Sequence, residues 1–101
     1  MNVSRKSSGS ESKTASNQVT VINKLGVHAR PAAMFVKTAN KFASDITVEK
    51  DGEQVNGKSI MGLMMLAAGQ GAVLIIAAEG SDAETAVREL VALFHRKFDE
   101  E

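Results

Sequence analysis

The sequence predicts an α+β domain, a four-stranded antiparallel sheet with three helices on one face, in the order β-α-β-β-α-β-α. Three observations point there. Short segments such as Val19-Thr20-Val21 and Ile46-Thr47-Val48-Glu49 alternate apolar and polar residues, the period of a half-buried strand. Between such segments, apolar residues recur at three- and four-residue spacing, the period of an amphipathic helix. The chain has 101 residues, 44% of them hydrophobic, enough for one packed core and little more.

The elements follow in order. The first seventeen residues hold seven Ser or Thr and almost nothing apolar, so residues 1–17 read as a flexible tail and 18–101 as the folded domain. Val19 and Val21 begin a strand that ends near Asn23. After the loop Lys24-Leu25-Gly26-Val27-His28, a helix carries Ala32, Phe35, Val36, Ala39 and Phe42 on one face. Pro31 falls in its first turn, where a missing N–H does no harm.

Ile46 and Val48 mark a second strand, Asp51-Gly52 a tight turn, and Gln54-Val55 the start of a third strand, which makes a hairpin. Asn56-Gly57 turns the chain into a short helix bearing Ile60, Leu63, Met64 and Ala67, with Gly69 and Gly71 closing it. Ala72 to Ala78, the longest apolar stretch, is the fourth strand. Ser81-Asp82-Ala83-Glu84 reads as a capping box opening the last helix, whose face is Val87, Leu90, Val91, Phe94 and Phe98.

Composition removes several function classes. Twelve basic and twelve acidic residues balance to zero, without the basic excess of a nucleic-acid binder. The absence of cysteine excludes a disulfide framework, a thiolate metal site and a cysteine nucleophile. No apolar run approaches the ~20 residues of a membrane helix, and no secretory signal is visible. The expectation is a cytoplasmic domain without membrane insertion, with no cofactor and no metal.

The histidines are His28 and His95. His95 lies off the apolar stripe of the last helix, beside Arg96 and Lys97, and reads as a solvated surface residue. His28 stands at the mouth of the first helix, in Gly26-Val27-His28-Ala29-Arg30-Pro31. The free N–H groups of Ala29 and Arg30 can converge on an anion there, and the helix dipole favours negative charge. Arg30 adds a guanidinium able to hold two phosphate oxygens at once. These parts suit attack by a neutral imidazole nitrogen on phosphorus. A structural loop histidine is the other reading of the same residues.

Ser59 is placed as the N-cap of the second helix and is also a candidate regulatory phosphosite. Ile60, Met61, Met64 and Met65 exceed what one buried stripe can hold, so some must face outward, as on a surface that binds several partners.

At these residues the sequence resembles HPr, the histidine-containing phosphocarrier family of the phosphoenolpyruvate-dependent phosphotransferase system. The resemblance rests on Gly26-Val27-His28-Ala29-Arg30-Pro31-Ala32 and Lys58-Ser59-Ile60-Met61-Gly62-Leu63-Met64, in that order and spacing, and covers residues 18–101. It implies an HPr-like open-faced β-sandwich and a phosphoryl-transfer intermediate rather than an enzyme. It further implies that His28 accepts a phosphoryl group on Nδ1 from enzyme I and passes it to enzyme IIA domains, with Arg30 steadying the phosphate. Ser59 matches the serine phosphorylated by HPr kinase/phosphorylase, and Ile60, Met61 and Met64 the apolar contact surface. Lys37, the one basic residue near the middle of the first helix, is grouped with this surface. The presence of His28 argues against the regulatory paralogue that lacks the histidine. Leu25 departs from the pattern, standing where many members have a small polar residue. Two alternatives of other classes are a phosphorylation-dependent regulator with no uptake role, and a small adaptor domain in which His28 is incidental.

Overall fold

Main-chain pairing, more than side-chain pattern, sets the first strand. Residues 13–100 are described by the structure, a computed structural model. Strand β1 spans Lys13–Thr20 and pairs antiparallel with β4, Val73–Gly80, from Lys13↔Gly80 to Thr20↔Val73. The expected tail over residues 1–17 is therefore corrected at Lys13–Asn17, which are strand. The rest of that expectation, residues 1–12, lies outside the described residues. Ladder bonds join backbone groups and need no apolar side chain, so a Ser/Thr-rich segment can pair while Thr14, Ser16 and Gln18 stay exposed. Regular pairing ends at Thr20, earlier than Asn23. Val21 continues it irregularly, donating to the Ala72 carbonyl at 2.9 Å and accepting from the Gly71 N–H at 2.8 Å.

The sheet order is β1-β4-β2-β3, with β2 at Asp45–Lys50 and β3 at Glu53–Asn56, and every pairing is antiparallel. Asp51 and Gly52 both take positive φ, 53° and 86°, as a two-residue hairpin turn requires. Helix α1 covers Ala29–Ala39, α2 Ile60–Met65 and α3 Ala83–His95. All three lie on one face of the sheet. Val19, Val21, Ile46, Val48, Leu74 and Ile76 point inward from the strands, against Phe35 and Val36 of α1, Leu63 of α2 and Leu90 and Phe94 of α3. Phe42 falls beyond α1 and packs half-buried on this core.

Three helix ends differ from the sequence reading. Helix α2 stops at Met65, short of Gly69, and Ala67 turns the chain with φ 52°. That left-handed conformation costs roughly 1–2 kcal/mol, and it lets Leu66 and Ala68 both be buried. The capping box does not form. The N-cap of α3 is Asp82, whose carboxylate makes no bond to its own helix. It accepts instead from the N–H groups of Ala43 (2.9 Å) and Ser44 (3.0 Å) and from the Ser44 hydroxyl, so the donors of a neighbouring loop win over the helix's own. Finally, α3 ends at His95, and Phe98 enters the core from a separate turn, Lys97–Asp99.

That turn has an uncommon backbone. Lys97, Phe98 and Asp99 take φ of 55°, 54° and 61°, three successive left-handed residues none of which is glycine. Each costs on the order of 1–2 kcal/mol. Burial of Phe98, fully inaccessible and edge-on to Phe94, offsets much of that cost. The result is that Glu100 is directed back across the start of α1.

Candidate functional site

Helix α1 begins at Ala29, with His28 as its extended N-cap residue. No side chain caps the helix, and its first turn holds no acidic residue, so the Ala29 and Arg30 N–H groups remain available at a positive helix end. Gly26 makes the approach possible. Its φ is +71°, and a Cβ there would sit 2.4 Å from the Ala68 carbonyl oxygen, so only glycine lets the loop pack against the segment after α2. The Val27 N–H fixes that contact, donating to the same oxygen at 2.8 Å.

His28 keeps 35% of its side chain exposed, and its Nε2 lies 2.9 Å from Glu100 Oε2. An ionised carboxylate only accepts, so this contact places the ring proton on Nε2. Nδ1 then carries the lone pair, and it makes no hydrogen bond among the described residues. Arg30 is exposed and forms no ion pair among the described residues. It lines an open cleft with Asn23, Lys24, Leu25, Asp99 and Glu100, free to swing toward an anion at the helix mouth.

Two residues of this site escaped the sequence reading. Glu100 is one, brought to His28 across 72 residues of chain. Asn23 is the other. It is 3% exposed and its Nδ2 donates to both the Gly26 carbonyl (2.8 Å) and Glu100 Oε1 (3.0 Å). Rotating the amide would set an oxygen against two acceptors, so Oδ1 faces away, buried and without a partner. An orphaned buried acceptor costs roughly 1–3 kcal/mol. A local signal for Asn23 existed: it continues the inward parity of Val19 and Val21, where a polar side chain requires partners. No local signal existed for Glu100.

The remaining candidates lie apart from the ring. Ser59 is the N-cap of α2, and its Oγ accepts from the Gly62 N–H at 2.9 Å. Beyond it, Met61 and Met65 are each 70% exposed, with Ile60 and Met64 also open to solvent, and only Leu63 of α2 is buried. Ile60 and Met64 therefore belong to the outward face. A helix this short, ending at Met65, buries one narrow edge. Leu25, 73% exposed, adds a further apolar side chain on the loop that leads to His28. Lys37 is exposed in the last turn of α1, and His95 is exposed at the end of α3. Among the described residues no group of His and carboxylates could hold a metal ion, and no helix is long and apolar enough to cross a membrane.

Fold and site together define a small open-faced sandwich that presents one histidine at a helix mouth. The family described as PTS-HPr, PTS HPr component phosphorylation site, matches residues 15–96. The chain therefore belongs to the HPr family, the phosphocarriers of the phosphotransferase system. It is 47% identical to the phosphocarrier protein HPr of Xylella fastidiosa over 84% of this chain and 96% of that protein. It is 50% identical to the HPr-like protein Crh of Halalkalibacterium halodurans over 79% of this chain and 95% of that one. In structure it is similar to HPr-C-His from Thermoanaerobacter tengcongensis, with a TM-score of 0.83 and 53% identity over 86% of this chain and 98% of the other.

Proposed function

We propose that His28 takes a phosphoryl group on Nδ1 from phosphorylated enzyme I and passes it to a histidine of enzyme IIA domains, serving sugar uptake in the cytoplasm. The observation that carries this reading is a ring whose Nε2 is tied down while Nδ1 stands open beside an uncapped helix N-terminus. In each transfer the donor's P–N bond breaks, its electron pair returns to the donor imidazole, and a new P–N bond forms at the acceptor nitrogen. Such reactions depend on positioning and charge neutralisation, which the Ala29 and Arg30 N–H groups and the Arg30 guanidinium supply here. Their modest strength at an exposed site suits a carrier, which must release what it holds.

The carrier unit is the domain formed from β1 onward, and Ile60, Met61, Met64 and Lys37 are the docking residues for its partners. Ser59 is a regulatory site for HPr kinase/phosphorylase: a phosphate there adds about −1.5 to −2 of charge beside the apolar face. Similarity to Crh, the catabolite repression HPr of Bacillus subtilis, favours a second reading, a phosphorylation-dependent regulator without an uptake role.

The test is incubation with phosphoenolpyruvate and enzyme I, followed by mapping of the acid-labile phosphate. Label on His28, lost in His28→Ala with the fold intact, is expected. Normal labelling of His28→Ala overturns the carrier reading.

A further inference from the structure

The carrier reading assigns work to Nδ1 and leaves the other side of the ring unexplained, and there the structure is most specific. Glu100 uses one oxygen for His28 Nε2 and the other for Asn23 Nδ2. Its side chain is 16% exposed, unusually low for a glutamate. Three left-handed residues and a buried Phe98 are needed to bring it there. Asn23 leaves its own acceptor unpartnered to keep Nδ2 on the carboxylate. Unfavourable local choices at two places in the sequence thus converge on one hydrogen bond.

We propose that Glu100, oriented by Asn23, is a positioning residue for phosphoryl transfer at His28. It keeps the ring proton on Nε2 and so aims the lone pair of Nδ1 at the incoming phosphorus. This rests on the carrier reading for its purpose, though not for its geometry. When Nδ1 forms the new P–N bond, the ring keeps its Nε2 proton and gains positive charge, and the carboxylate facing that proton stabilises it. A carboxylate plays the same part behind the histidine of serine hydrolases, fixing the tautomer and supporting the imidazolium.

Charges of both signs stand near the ring. Glu100 bonds the Nε2 edge, and it lines one open cleft together with Asp99 of the same turn, Lys24 of the loop and Arg30 of α1. Helix α2, packed against α1, brings no charge.

Two readouts test the proposal. Nitrogen NMR of the unphosphorylated protein reports the tautomer without any phosphotransfer. Wild-type protein is expected to hold the Nε2–H form, Glu100→Ala to show a mixture, and Glu100→Asp to recover part of the preference. The rate of labelling by phosphoenolpyruvate and enzyme I is expected to fall on the order of tenfold in Glu100→Ala, the lower end of what losing the supporting partner of a metal-ligating histidine costs. A tautomer unchanged in Glu100→Ala overturns the proposal whatever the rates. A wild-type protein that takes no label, yet shows a tautomer dependent on Glu100, instead overturns the carrier reading and leaves the positioning geometry standing.

Discussion

The rings of Phe94 and Phe98 meet edge to face with centroids 4.7 Å apart, across the break between α3 and the left-handed turn. Phe94 in turn meets Phe35 of α1 edge-on, at 6.1 Å. The aromatic chain therefore links the helix that carries His28 to the segment that carries Glu100. Truncating Phe98 should be costly on both counts. Phe98→Ala is expected to destabilise the domain by about 3–5 kcal/mol, the usual range for a buried phenylalanine. Urea denaturation gives the loss in stability, and nitrogen NMR should show the Nε2–H preference weakened in the variant that remains folded.

The Ser44 and Asp82 pair makes acid stability testable. The Asp82 carboxyl is held below the usual carboxylate range, chiefly by the Ser44 hydroxyl and next by the Ala43 N–H. A folded-state value below the unfolded one means the ionised carboxylate favours folding. That contribution is complete above the unfolded value, near 3.8, and is lost as pH falls through the folded one. Denaturation measured between pH 7 and pH 2 should show wild type losing more stability than Asp82→Asn over this acid limb. Parallel curves would remove Asp82 from the account.

Ser59 should separate its two roles by substitution. Ser59→Ala removes the acceptor of the Gly62 N–H and is expected to cost roughly 0.5–2 kcal/mol in thermal or chemical unfolding. Ser59→Asp keeps an acceptor at the cap, so stability should be largely restored. In a titration with enzyme I the same variant should bind more weakly, because the charge stands next to exposed Ile60 and Met61. Equal affinity would count against regulation through this residue.

Arg30 is exposed and without an ion pair among the described residues, so Arg30→Ala should leave stability within about 0.5 kcal/mol of wild type. Phosphoryl transfer should nevertheless slow by roughly ten- to a hundredfold, the scale of losing one donor to a developing anion at an open site. Arg30→Lys should recover only part, since an ammonium keeps the charge and loses the two-pronged geometry. Quench-flow labelling with enzyme I measures both.

Much of this molecule was legible in local pattern. The strands around Ile46 and Val48, the hairpin at Asp51-Gly52, the helix after His28 and the cap at Ser59 all depend on residues within a few positions of each other. Short-range physics of turns, periodicity and caps acts on that scale. The placement of His28 and Arg30 at the start of α1 was legible for the same reason, since a helix mouth and its neighbours form one local unit.

The tertiary structure decided what depended on distant partners. Polar Lys13–Asn17 became strand because β4 offered a ladder, and Asp82 abandoned its own helix because Ser44 came within reach. Glu100 acquired its place through the burial of Phe98, a gain no local window contains. The sequence by itself determined which imidazole stands at a helix mouth. Only folding, by setting a carboxylate against Nε2, decided which nitrogen of that ring is left open.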